Sequence, residues 1–231
     1  MFKKISAGRI WELDFFRGIA LIFMVYFHLV YDMKEFFGYN VSYHGNLNYY
    51  IGKISAILFM LISGISTSLS RNSAKRGLKV LGAALVITLA SFIYNKDYII
   101  VFGILHFLGL SMVLSALTGK LNKYLLLASG AAVILLGYIL PLDKASTNWF
   151  MMFGFRNQAF QSSDYYPLIP WYGVFLTGMS LGKLLYAKKQ SLIKPFKGHK
   201  MIGFAGMYTL PVYFIHQPAL LLALTLISKI K

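Results

Sequence analysis

Seven apolar runs of about 20 residues, separated by polar connections, dominate this chain of 231 residues. A helix of about 20 apolar residues crosses the hydrocarbon core of a bilayer, so runs of this length predict transmembrane helices. The predicted segments are residues 13–33, 50–70, 78–95, 98–117, 122–141, 166–187 and 204–228. We therefore expect an all-α, polytopic membrane protein in which residues 1–231 form a single domain, a bundle of about seven transmembrane helices.

The composition supports this class of protein and excludes several others. The chain is 58% hydrophobic with a mean hydropathy of +0.63, whereas soluble domains are nearer half apolar and carry about twice the charge. The sequence has no cysteine, which excludes disulfides and a cysteine nucleophile, and we expect no metal site. In a membrane protein a net charge of +16 favours contact with anionic membrane lipids, and we expect no nucleic acid partner.

The distribution of Lys and Arg predicts the orientation in the membrane. With seven crossings and a cytoplasmic N-terminus, 16 of the 23 Lys and Arg residues lie on the cytoplasmic side and 7 on the other side. Basic residues in short loops concentrate on the cytoplasmic side of a membrane. We therefore predict a multi-pass protein of the cell membrane with its N-terminus in the cytoplasm and its C-terminus outside.

The first apolar segment carries three ionisable residues, Arg17, His28 and Asp32. Such groups are costly in hydrocarbon, so their presence indicates a functional site. Eleven helical residues at about 100° each bring His28 to within roughly 20° of Arg17 and about 16 Å further along the axis. Asp32 follows His28 by four residues and shares its face. The pattern predicts a cation at one end of a polar stripe and a proton-transferring pair at the other, although Arg17 could also be a snorkelling side chain at the interface.

The predicted topology sorts the polar residues into two groups. The cytoplasmic group is largely cationic and suits the binding of phosphates; it consists of Arg17, Ser63, Ser66, Arg71, Arg76 and Lys79, of which all but Ser66 are candidate contacts for a phosphate cofactor. The outer group suits proton transfer and stacking on a sugar; it consists of His28, Asp32, His44, His106, Asp164, Tyr165, Tyr166 and Trp171, with His216 near the middle of the last segment. Both groups also have structural interpretations, as orientation determinants, hydrogen bonds between helices or interfacial aromatic residues.

Five motifs in order along the chain resemble those of a family of membrane acyltransferases. They are LDFFRGIA with FH at 13–20 and 27–28, FMLISGIS at 59–66, FGILHFLG at 102–109, DYYPLIPW at 164–171 and YFIHQP at 213–218. The first motif is similar to the Arg-x10-His pattern of the acyltransferase-3 family. The set as a whole resembles the DUF1624 group, the heparan-alpha-glucosaminide N-acetyltransferase-like family. The resemblance implies transfer of an acyl group, usually acetyl, from cytosolic acyl-CoA to an acceptor on the outer face.

The resemblance gives the candidate residues their expected roles. Acetyl-CoA or another acyl-CoA is the expected co-substrate, with its phosphates held by the cytoplasmic group. His28, oriented by Asp32, is the expected general base, and His106 or His216 is expected to stabilise the oxyanion or to donate a proton. The acceptor, expected to be a glycan, would stack on the aromatic residues of the outer group, namely Tyr165, Tyr166 and Trp171, beside Asp164.

The chain also departs from the family pattern. The heparan enzyme has Asn at the position that matches His28, and its acetyl-accepting histidine lies in the following loop, where this chain has His44. That enzyme also has more helices and an extra lumenal domain, so its acceptor specificity does not transfer. A small proton-coupled transporter is the alternative function, because buried His and Asp also form proton relays. The sequence leaves a homodimer open.

Overall fold

The computed structural model describes residues 9–45 and 47–229, and within these ranges the chain is helical and has no β-strand. The α-helices are α1 (Trp11–Glu35), α2 (Leu47–Ser68), α3 (Ser73–Tyr94), α4 (Ile104–Thr118), α5 (Lys123–Ile139), α6 (Leu168–Leu185), α7 (His199–Met207) and α8 (Thr209–Ser228). Short 3-10 turns lie at Lys96–Tyr98, Leu142–Lys144 and Met151–Phe153. The all-α prediction is confirmed.

Five of these helices are long and apolar enough to cross a membrane, namely α1, α2, α3, α6 and α8. Helices α4 and α5 are apolar but shorter, with 15 and 17 residues. The chain is therefore a multi-pass membrane protein. The number of about seven crossings stays a prediction, because a helix of 15 residues is only about 22 Å long whereas the hydrocarbon core is about 30 Å thick.

The last predicted segment, 204–228, is two helices rather than one, since α7 ends at Met207 and α8 begins at Thr209. Pro211 explains the break. A proline ring clashes with the carbonyl group four residues earlier, here that of Met207, but is tolerated in the first turn of a new helix. The chain therefore leaves the helical conformation at Tyr208, where φ is −107° and ψ is 30°.

The chain divides into two compact units, Met1–Phe59 with Lys189–Lys231 and Met60–Lys188, and α2 contributes to both. In the first unit, α1 packs against α7 and α8. Gly206 of α7 lies so close to α1 that a Cβ atom there would overlap the carbonyl oxygen of Asp14. The hydroxyl of Ser55 in α2 donates a hydrogen bond to the carbonyl oxygen of Ala20 in α1, at 2.8 Å. The unit thus packs one side of α1, the helix with the predicted polar stripe, against α7, α8 and part of α2.

In the second unit, α3 packs against α4 and α5 packs against α6. The pair α5 and α6 meets at two glycines, where a Cβ on Gly173 would overlap the carbonyl oxygen of Gly130. Small residues at such positions let two membrane helices approach closely, which strengthens their van der Waals contact. The prediction of one domain over residues 1–231 stays a prediction.

Candidate functional site

The beginning of α1 holds a charged cluster in the first unit. Nε and Nη2 of Arg9 donate to the two carboxylate oxygens of Asp14, each at 2.7 Å, and Nη1 of Arg17 donates to Oδ1 of Asp14 at 2.7 Å. The Asp14 side chain is 8% exposed. Hydrogen bonding to this carboxylate raises the pKa of Arg9. Two guanidinium groups on one carboxylate give the cluster a net charge of +1. The hydrogen bond to Asp14 also fixes the orientation of the Arg17 side chain.

Further along α1, His28 faces a second histidine from α8. The ring of His28 lies 4.9 Å from the ring of His216, centroid to centroid, with 60° between the planes. Nδ1 of His216 lies 2.7 Å from the carbonyl oxygen of Tyr213. Because a carbonyl oxygen only accepts, Nδ1 of His216 carries the proton and Nε2 is left as an acceptor. The structure therefore brings together two of the predicted site residues that lie far apart in the sequence.

Asp32 is fully buried and its partner is Gln217, the residue after His216. Nε2 of Gln217 donates to Oδ1 of Asp32 at 2.6 Å. The predicted pairing of Asp32 with His28 is therefore not the one observed. The hydrogen bond of Gln217 crosses from α8 to α1, whereas a bond to His28 would have remained within one helix.

Three buried polar atoms around these residues have no hydrogen-bond partner among the described residues. They are Oδ2 of Asp32, Nε2 of His216 and Oε1 of Gln217. All three are acceptors, since the carboxylate and amide oxygens only accept and Nε2 of His216 accepts when Nδ1 carries the proton. A buried polar group without a partner costs about 1–3 kcal/mol, so such a set of acceptors is more consistent with a ligand site than with a purely structural contact.

His44 lies in the connection between α1 and α2 and is exposed. Its ring lies 4.1 Å from the ring of Tyr43. The Tyr43 ring lies in turn 5.1 Å from Tyr31 and 6.2 Å from Phe27, both on α1. The loop with His44 is thus packed against the half of α1 that carries His28, but no hydrogen bond joins the two histidines.

The second unit holds the other predicted residues of the outer group. Oδ2 of Asp164 accepts the backbone N–H of Ile104 at 2.8 Å and so caps the first turn of α4. Nε2 of His106 lies 3.1 Å from the hydroxyl of Thr88, which itself donates to the carbonyl oxygen of Ile100 at 2.6 Å. The single hydroxyl proton is therefore used, and Nε2 of His106 is the donor to Thr88.

The predicted aromatic residues lie in the loop before α6 and, for Trp171, in the first turn of that helix. Burial raises the pKa of Tyr165 to about 12, with an opposing contribution from the nearby charge of Arg156. The hydroxyl therefore stays protonated, and it donates to the carbonyl oxygen of Met151 at 2.7 Å. The rings of Tyr166 and Trp171 meet edge to face at 5.5 Å. The residues predicted to bind the acceptor substrate thus lie close together in the sequence, within the second unit.

The predicted phosphate-binding group is divided between the two units. Arg17 lies in the first, whereas Ser63, Arg71, Arg76 and Lys79 lie in the second. Arg71, Arg76 and Lys79 are exposed at or near the beginning of α3. Their roles stay predictions, as do those of the outer group.

Sequence reasoning missed three residues that shape the first unit: Glu12, Asp14 as a partner of Arg17, and Gln217. Glu12 is 1% exposed, and its Oε1 accepts the backbone N–H of Leu192 at 2.6 Å. The ion pair of Asp14 with Arg17 could have been predicted, because residues three apart on a helix are neighbours, and Arg9 lies just before the same helix end. Gln217 and Leu192 are 185 and 180 residues away from their partners, and no local pattern indicates such pairs.

The fold and these buried polar groups define a multi-pass helical membrane protein whose first helix carries ionisable side chains. A model of the family described as heparan-alpha-glucosaminide N-acetyltransferase, catalytic, matches residues 9–218. The chain therefore belongs to this family, and it is an acetyltransferase of the membrane. Comparison with curated proteins gives no match, and neither does comparison with solved structures. The relation to the acyltransferase-3 family stays a prediction.

Proposed function

We propose that the protein transfers an acetyl group from cytosolic acetyl-CoA to a glycan acceptor on the extracytoplasmic side. The observation that carries the proposal is the arrangement of α1 in the first unit. Its beginning holds the Arg9–Asp14–Arg17 cluster, and its later half faces His216 and Gln217 of α8. About 16 Å of helix separates Arg17 from His28, which is comparable to the length of the pantetheine arm of CoA.

Arg17 is the proposed contact for a phosphate of CoA. Its guanidinium shares the Asp14 carboxylate with that of Arg9, so the cluster keeps a net positive charge at the helix end. Asp14 restricts the rotation of the side chain, and a pre-oriented arginine loses less conformational freedom on binding than a mobile one. Arg71, Arg76 and Lys79 are proposed as further phosphate contacts.

His28 is the proposed general base. It takes the proton of the acceptor hydroxyl or amine as that oxygen or nitrogen attacks the carbonyl carbon of the thioester. The C–S bond then breaks, and the imidazolium of His28 returns its proton to the departing thiolate, so that one acetyl group and one proton have exchanged places. His106 or His216 is proposed to stabilise the oxyanion or to donate a proton. Because the N–H of His106 is bonded to Thr88 and that of His216 to Tyr213, either role requires that the existing hydrogen bond be exchanged during the reaction.

The acceptor is proposed to be a sugar with several N–H or O–H donors. The unpartnered atoms of Asp32, His216 and Gln217 are all acceptors, and a hexose or hexosamine offers donors that would satisfy them. A hydrogen bond to a charged group contributes about 1.5–3 kcal/mol. A role of Tyr165, Tyr166 and Trp171, beside Asp164, in stacking on the acceptor is proposed from the family resemblance alone.

The experiment uses the purified chain in lipid nanodiscs with labelled acetyl-CoA. Acetyl-CoA binding is measured by equilibrium dialysis, and release of CoA is measured with hexosamine and hexose oligosaccharides as acceptors. Saturable binding, with CoA release that depends on the acceptor, supports the proposal, and the preferred acceptor distinguishes N- from O-transfer. A folded protein that binds no acetyl-CoA overturns the proposal. Proton movement without acetyl-CoA, measured with the chain reconstituted in closed vesicles, would favour a transporter.

A further inference from the structure

Residues 189–204 are here called the basic strap. They comprise the connection that precedes α7 and the first six residues of α7 itself. The strap contains four lysines and no Asp or Glu. Its lysines alternate with large apolar side chains that are exposed, namely Leu192, Ile193, Phe196, Met201 and Phe204, which range from 41% to 80% exposed. Exposed apolar groups of this size are unusual on a surface that faces water alone.

The strap is held against the beginning of α1 through its backbone. The indole N–H of Trp11 donates to the carbonyl oxygen of Ile193 at 3.0 Å, and Oε1 of Glu12 accepts the N–H of Leu192. The Trp11 ring also meets the rings of Phe196 and His199, at 5.7 and 4.8 Å. These hydrogen bonds involve main-chain groups of the strap, so its lysine side chains take no part in them.

The position of the strap in the chain places it at a membrane boundary. It lies between α6 and α8, two helices that are long enough to cross the bilayer, and it contacts the first turn of α1, a third such helix. A connection between two crossings lies at the level of the lipid headgroups or beyond. The outward face of α7 continues the pattern, with Lys200, Met201 and Phe204 exposed while Gly203 and Gly206 are buried.

We propose that the basic strap binds anionic phospholipids, with Lys194, Lys197 and Lys200 contacting the headgroup phosphates and the apolar side chains entering the interface between headgroups and acyl chains. Charge complementarity carries this assignment, because the strap is cationic throughout and lies against a surface that can be anionic. Segments in which lysines accompany large apolar side chains bind at this depth through both contributions.

The test uses Trp11, the α1 residue that contacts the strap, as a fluorescent reporter. The substitutions Trp149→Phe and Trp171→Phe leave Trp11 as the single tryptophan, since the chain has three. Quenching by dibrominated phosphatidylglycerol and by dibrominated phosphatidylcholine gives the relative affinity for the two lipids. We expect a preference for phosphatidylglycerol, and each lysine near the surface should contribute up to about fivefold, the equivalent of about 1 kcal/mol. In the triple variant Lys194→Gln, Lys197→Gln, Lys200→Gln, the ratio of the affinity for phosphatidylglycerol to that for phosphatidylcholine should fall at least about tenfold.

Two control variants keep the test specific. The triple variant Lys194→Arg, Lys197→Arg, Lys200→Arg keeps the charge and should keep the preference. The triple variant Lys34→Gln, Lys96→Gln, Lys144→Gln removes the same charge from exposed positions outside the strap and should leave the preference unchanged. Equal loss in this second control would overturn the proposal, because bulk charge and not the strap would then attract the lipid.

The same lysines could instead hold the phosphates of CoA, and one further measurement separates the two ligands. In nanodiscs of phosphatidylcholine alone, the triple glutamine variant of the strap should bind acetyl-CoA as well as the parent does. A loss of acetyl-CoA affinity with an unchanged lipid preference would contradict lipid binding by the strap. This outcome is distinguishable from failure of the proposed function, in which the parent protein itself binds no acetyl-CoA.

Discussion

Gln217 donates a hydrogen bond of 2.6 Å to Asp32, a fully buried carboxylate on the neighbouring helix. This bond fixes one oxygen of Asp32 and leaves the other without a partner among the described residues. It also fixes the side chain next to His216, whose ring faces His28. Gln217 therefore has the geometry of a residue that positions the proposed site without itself exchanging protons.

The variant Gln217→Met tests this role, because methionine keeps the length of the side chain and removes its donor. Asp32 then loses its partner, which costs about 1–3 kcal/mol for a buried group. We expect a lower midpoint of thermal unfolding and a turnover at least about tenfold lower, with unchanged affinity for acetyl-CoA. The exposed Gln190 provides the matched control, since Gln190→Met should change neither quantity. Normal turnover in a folded Gln217→Met protein would remove Gln217 from the site.

The variant Arg17→Ala should weaken the binding of acetyl-CoA by about 10- to 150-fold, because a charge-assisted hydrogen bond to a phosphate contributes about 1.5–3 kcal/mol. Arg9→Ala is the matched control, since it removes the other guanidinium on Asp14 and leaves Arg17 paired. Equilibrium dialysis of both variants in nanodiscs makes the comparison. If the two variants bind equally well, Arg17 is an interfacial anchor and makes no contact with the donor.

The variant His28→Ala should bind acetyl-CoA normally but turn over about 10²–10⁴ times more slowly, the usual contribution of a positioned general base. The competing hypothesis makes His44 the acetyl-accepting residue. Incubation with labelled acetyl-CoA, followed by peptide mapping, distinguishes the two. Acetyl on His44 of a His28→Ala protein that still turns over would contradict the assignment to His28, whereas loss of turnover without an adduct would support direct transfer.

The absence of cysteine from the sequence makes the orientation directly testable. In intact cells a membrane-impermeant maleimide should label a Lys144→Cys protein and should reach a Lys194→Cys protein only after permeabilisation, because the predicted topology places position 194 in the cytoplasm. Both positions are exposed in the structure. Labelling of Lys194→Cys in intact cells would contradict the cytoplasmic N-terminus too, since the strap contacts the first turn of α1.

The close approach of α7 to α1 gives a prediction about stability. A Cβ at Gly206 would overlap the backbone of Asp14, so Gly206→Ala should lower the free energy of unfolding by about 1–3 kcal/mol. Gly82 in α3 has no atom within 4 Å of its would-be Cβ, and Gly82→Ala should be neutral or slightly stabilising. Thermal unfolding in one detergent compares the two. Equal midpoints for both variants would show that α7 is not tightly packed on α1.

The approximate positions of the helices could be predicted from the sequence, because each of the longer helices coincides with an apolar run of suitable length. Their ends were less predictable. The segment predicted from residue 98 begins as a helix only at Ile104, whose N–H is capped by Asp164, 60 residues later in the chain. His28 and His216 were both predicted as site residues, but their contact depends on how α1 packs on α8, and so does the choice of Gln217 over His28 as the partner of Asp32.

Asp14 makes two separate structural contributions, one through its side chain and one through its main chain. Its carboxylate holds the two arginines, while its carbonyl group forms part of the surface on which Gly206 rests. The two contributions should therefore separate genetically. Second-site suppressors of Gly206→Ala are expected to be changes that shift or shorten α7, whereas suppressors of Asp14→Asn are expected to restore a negative charge near Arg9 and Arg17, and neither class should rescue the other defect.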